Sequence, residues 1–109
     1  MEYMRRRDYL GHLELMVLLA VWRLKPEAYG ISIAREIEQQ CGYSMALAGI
    51  YSTLERLQDK GFIKSKRGAP TPTRGGRART YFDLTATGLE EAQSTFHALT
   101  RLAPKGALP

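Results

Sequence analysis

The chain has 109 residues, 44% hydrophobic and 25% charged, with a formal net charge of +5. That is the size and make-up of one water-soluble domain, too small for a two-lobed enzyme with a cofactor cleft. A single cysteine, Cys41, excludes an internal disulfide framework and a cysteine-based zinc site, and His12 and His97 share no ligand spacing, so neither metal nor cofactor is expected.

At the start, Arg5-Arg6-Arg7 precedes the apolar run Leu15–Trp22, which has the outline of a signal peptide. The run is too short to span a bilayer. Glu14 precedes it, Arg23 and Lys25 close it, and no small-residue cleavage site follows directly. A cytoplasmic protein with no membrane partner is therefore expected. The three arginines read as a basic arm or as a frayed end.

Spacing predicts a first helix from about Asp8 to Leu24, stopped by Pro26. Leu10, Leu13, Met16, Leu19 and Ala20 mark one face, and Leu15, Leu18, Val21 and Trp22 extend the apolar surface almost all round. Such a helix must be covered on more than one side, so a partner subunit is expected beside the chain's own core. Trp22 is a candidate ligand contact at that interface; the plainer reading is a packed aromatic.

A second helix is predicted from Gly30 to about Gln40, with Ile33, Ala34 and Ile37 inside and Gly42 at its exit. Ser44 is expected to cap a third, from about Met45 to Lys60. Its inner stripe reads Leu47, Ile50, Leu54, Leu57. The opposite face carries Met45, Ala46, Gly49, Ser52, Thr53, Arg56 and Lys60, small and uncharged at first and basic later. Cys41 has no neighbour that would make it a redox sensor, since a helix end has the wrong dipole for a thiolate.

Two strands follow, Phe62–Lys66 and Ala78–Leu84, joined by the Gly/Pro-rich stretch Arg67–Gly76. This span exceeds an ordinary hairpin loop and suggests a mobile basic tip. From Lys60 to Phe82 the chain carries +7 with no acid; the remainder sums to −2. A concentrated block of this kind suggests contact with a polyanion. The last helix starts after Leu84, capped by Thr85, or by Thr87 with Glu90 three residues on. Leu89, Ala92, Phe96 and Leu99 then form a seam suited to another helix, and Pro104 stops it.

The expected fold is thus mainly α with a small β-hairpin: a winged helix-turn-helix over residues 1–84, then a C-terminal dimerisation helix and tail over 85–109. A B-DNA major groove admits one helix, and a basic hairpin beside it can follow phosphates. No nucleophile with a matched base, and no phosphate-cradling loop after a strand, points to an enzyme.

The ordered series Leu10-Gly-His-Leu-Glu-Leu-Met-Val-Leu18, Tyr29-Gly30, Ile50-Tyr-Ser-Thr-Leu-Glu-Arg-Leu57, Lys60-Gly-Phe-Ile63, Arg74-Gly-Gly-Arg77 and Arg79-Thr-Tyr-Phe-Asp-Leu-Thr-Ala-Thr-Gly88 resembles the PadR family of bacterial winged-helix transcriptional regulators over about residues 10–100. With one C-terminal helix, the chain is similar to the short branch of that family. The resemblance implies a dimeric repressor on a palindromic operator, joined through its N- and C-terminal helices.

On this reading the candidate DNA contacts are Ser44, Met45, Ala46, Gly49, Tyr51, Ser52, Thr53 and Arg56 of the third helix. In the wing they are Lys64, Lys66, Arg67, Arg74, Arg77 and Arg79. Tyr51 is a phosphate contact or a half-buried aromatic, and Arg56 reaches a phosphate or pairs with Asp59 or Glu55. Leu13, Leu89, Ala92, Phe96 and Leu99 are candidate dimer contacts. The expected partners are double-stranded DNA and a second copy, with a small-molecule effector left open. The competing reading is a winged-helix module that binds protein or RNA without operator specificity.

Overall fold

A computed structural model describes residues 9–68 and 79–106. The elements run α1 (His12–Leu24), α2 (Gly30–Cys41), α3 (Leu47–Asp59), β1 (Ile63–Arg67), β2 (Thr80–Leu84) and α4 (Ala86–Leu102). This is the expected order of three helices, a hairpin and a closing helix. The expectations on Arg5–Arg7, Arg74, Arg77 and Gly75-Gly76 lie outside the described residues.

The chain itself covers α1 on several sides, because α2, α3, α4 and β2 all pack against it. Val17, Leu18 and Val21 are fully buried, and Ile33, Ile50, Leu54 and Leu57 meet them from α2 and α3. Truncating any of the larger ones to Ala would cost about 2–5 kcal/mol. α1 begins at His12, later than its periodicity suggests. Gly11 stays extended, and its N–H donates to Glu14 Oε1 at 3.3 Å, which satisfies one of the free donors of the first turn.

Between α2 and α3 the chain turns at Gly42, whose φ of 67° suits glycine. α3 starts at Leu47, capped by Ala46 without any side-chain bond, so the expectation that Ser44 caps this helix is corrected. Met45 packs against the core from the connection and delays the helix start by a residue or two. Leu47, expected inside, is left 42% exposed at the open end of the helix.

β1 and β2 pair antiparallel, Ile63 opposite Leu84 and Arg67 opposite Thr80. Phe82 N–H also donates to Ala28 C=O at 2.8 Å, which pins the wing to the start of α2. Of the two caps considered for α4, Thr85 is the one used: its Oγ1 accepts from Gly88 N–H at 3.0 Å and donates to Gly61 C=O at 2.7 Å. Gly88 lies so close to the Phe62 carbonyl that a Cβ would collide with backbone. The inner face of α4 is built from small residues, Gly88, Ala92 and Thr95, which allows this approach and leaves its large residues outside.

Candidate nucleic-acid interface

α3 buries Ile50, Thr53, Leu54 and Leu57 and turns Ala46, Leu47, Ala48, Tyr51, Ser52 and Arg56 outward. Ser44 is exposed in the preceding turn, whereas Met45 and Gly49 are partly covered, Met45 Cε standing 3.6 Å from where a Gly49 Cβ would be. Thr53 corrects the sequence expectation. It is 2% exposed, and its hydroxyl donates to Gly49 C=O at 2.8 Å. Its spacing of three and four from Ile50 and Leu57 places it on the inner arc, and the backbone bond satisfies its one polar group.

Tyr51 is half exposed, with the end of its ring against Gly30 at the start of α2. Among the described residues, the carboxylate that Arg56 meets is Glu14, not Asp59 or Glu55. Arg56 Nε lies 3.6 Å from Glu14 Oε2 on α1, while its terminal nitrogens donate to Ser52 Oγ and Thr53 Oγ1, both at 3.3 Å. Lys60 Nζ donates to the same Glu14 oxygen at 2.9 Å. Burial opposes ionisation of Glu14, but the Lys60 hydrogen bond, the Gly11 N–H and the charges of Lys60 and Arg56 together hold its carboxyl below the usual value. Glu14 was not singled out from the sequence. A lone acid inside an otherwise apolar helix was the available signal, with its partners hidden 42 and 46 positions away.

In the wing, Lys64, Lys66 and Arg67 are all exposed, but they do not form one surface. Side chains alternate along a strand. Arg67 shares the face of Ser65, whose Oγ is hydrogen-bonded at 3.0 Å by Gln58 Nε2 of α3. Lys64 and Lys66 lie on the other face, opposite Asp83 and Tyr81. Arg79 sits with its guanidinium carbon 4.2 Å from the centroid of the Tyr29 ring, and Tyr29 meets Tyr81 edge-on at 5.8 Å. A hydrogen bond with Tyr81 is the main reason the Arg79 guanidinium is held even more firmly protonated than usual. Tyr29, Tyr51 and Arg79 line a cleft between α2, α3 and β2.

On the far side, Tyr9, Leu10, Leu15, Met16, Leu19 and Leu99 line an apolar groove of about 470 Å³ between α1 and α4. Phe96 and Leu99 are 51% and 55% exposed. Leu13 and Leu89 are half-buried, and Ala92, expected in the seam, is 1% exposed within its own chain, so it has no surface left for a partner. Trp22 is exposed and stands outside the groove.

A helix with an exposed first turn, followed by a cationic hairpin, is the layout of a DNA-binding winged helix, and residues 18–94 match the model of the transcriptional regulator PadR-like family. The chain belongs to the PadR-like family. Among curated proteins none matches, but solved structures do. A PadR family transcription regulator from Clostridium difficile is 20% identical, with a TM-score of 0.70 over 84% of this chain and 90% of that one. A transcriptional regulator from Clostridium thermocellum is 24% identical, with a TM-score of 0.69 over 84% and 82%. Bacillus subtilis PadR, solved in complex with operator DNA, is 24% identical, with a TM-score of 0.65 over 79% of this chain and 48% of that one. The PadR-like fold, four helices and one antiparallel hairpin, is the winged helix-turn-helix expected from the sequence. Among the described residues, no helix is long and apolar enough to cross a membrane.

Proposed function

We propose that this PadR-like regulator is a cytoplasmic homodimer that represses transcription by binding a palindromic operator. The observation that carries this reading is the open first half of α3, followed in the chain by a hairpin with the exposed cations Lys64, Lys66 and Arg67. α3 enters the major groove, with Ser52 and the first turn facing base edges; Arg56 and the wing follow phosphates and supply affinity without sequence information. The first 84 residues form the DNA-binding region. α4 and the tail join two copies, Phe96 and Leu99 of each covering the α1/α4 groove of the other.

The groove is also the place where a small apolar effector would act, since its walls belong to both the dimer contact and α1. Trp22 is exposed but does not line this groove, so it is not part of that site within one chain. The reading includes no catalytic step.

Selection of duplexes from a randomised library tests it. The expected product is a palindrome whose half-site centres are about 10 bp apart, or a multiple of that. Its affinity should fall steeply with salt. Recovery of unrelated sequences, all bound equally, would favour an interaction module instead.

A further inference from the structure

We propose that Leu47 reads the 5-methyl group of one thymine in each operator half-site. The inference rests on the operator-binding reading above and adds to it the chemistry of the base recognised. The exposed side chains at the start of α3 are Ala46, Leu47 and Ala48. None of these side chains can donate or accept a hydrogen bond; Ser44 lies in the turn before the helix, and within α3 the exposed polar side chains begin at Tyr51 and Ser52.

Leu47 is not needed by the core, which is closed at this end by Ile50 and Met45. It stands 42% exposed, with Tyr51, four residues on and 50% exposed, as its neighbour on the helix surface. Tyr51 is in turn backed by Gly30, so the flank of Leu47 is a ring with a fixed support.

A large aliphatic group at the leading end of a groove-reading helix needs an apolar partner. The major-groove edges of the four base pairs offer only one, the C5-methyl of thymine. Duplex DNA, rather than an apolar protein surface, is the occupant that fits, because Tyr51, the neighbour of Leu47, shares a cleft with the wing cation Arg79.

The test uses the intact protein and an operator obtained by library selection, in which each thymine is replaced in turn by deoxyuridine. That change removes the methyl alone and leaves the protein untouched. One thymine per half-site should prove sensitive, binding weakening about fourfold for one half-site and roughly fifteenfold for both. Leu47→Ala should bind the thymine operator as weakly as the unmodified protein binds the uracil operator, and should not distinguish the two. If no thymine is sensitive, or if the sensitivity persists undiminished in Leu47→Ala, the inference is overturned while operator binding stands. Absence of any preferred duplex would instead overturn the operator reading, and this inference with it.

Discussion

Glu14 on α1 accepts a hydrogen bond at 2.9 Å from Lys60 Nζ, 46 residues further along the chain, at the end of α3. With Arg56 3.6 Å from the same oxygen, this carboxylate ties the helix that lines the apolar groove to the helix proposed to read DNA. It also withdraws Lys60 from the basic surface, so the run of cations after α3 begins at Lys64.

Glu14→Gln should lower stability by about 1–3 kcal/mol at neutral pH, because it leaves a poorer acceptor for two cations. The folded-state pKa of Glu14 is depressed. Its contribution is therefore complete above the ordinary carboxyl value near ~4.3 and is lost as pH falls through the lower, folded value. Urea unfolding of both proteins at pH 7 and at acid pH should show the gap closing in acid. A gap of the same size at both would mean that the charge of Glu14 is not what matters.

The wing cations should differ in how much they contribute to DNA affinity. Lys66→Ala with Arg67→Ala removes up to four phosphate contacts from a dimer and should flatten the slope of log affinity against log salt by as much as ~3.6. Lys64→Ala should change it less, because Asp83, whose carboxylate lies 3.7 Å from Lys25, stands directly across the ladder and keeps an acid near Lys64. Salt titrations with operator and with random duplex should move together, since phosphates carry no sequence.

Phe96→Glu should convert the protein to monomers and abolish operator binding at the same concentrations. Phe96 is 51% exposed in the single chain, so its replacement should leave the helical circular dichroism intact. Sedimentation at micromolar concentration checks the outcome. Ala92→Glu should behave differently and unfold the protein, because Ala92 is already packed within its own chain.

Thr53 and Ser52 should separate stability from recognition. Thr53→Ala should cost about 1 kcal/mol of stability through its lost backbone bond and leave the selected DNA sequence unchanged. Ser52→Ala should leave stability near the original value and alter the preferred base by ~1–3 kcal/mol if its hydroxyl meets one. Melting curves and library selection on both variants resolve the two roles.

The sequence by itself determined the element order, the glycine exit from α2, a threonine cap for α4 at Thr85 or Thr87 and the concentration of charge after α3. Each is written in short-range chemistry: a period of three to four, a residue that tolerates positive φ, a hydroxyl three residues from a free N–H, an absence of acids. Family-like spacing from Leu10 to Gly88 carried the winged-helix reading for the same reason, since it is a record of local turns and faces in order.

Only the tertiary structure decided which side of an ambiguous residue is covered. Thr53 reads as polar and outward until α3 is laid on α1 and α2. Leu47 reads as inward until Met45 takes the place next to the core. Ala92 belongs to an apolar seam in sequence, but its small size is what lets α4 settle onto its own chain, and that contact consumes it. Glu14, Arg56 and Lys60 meet because α1 crosses α3, and no spacing along the chain encodes a distance between helices. Burial and charge pairing are properties of what packs against a residue, and they are settled only when the helices meet.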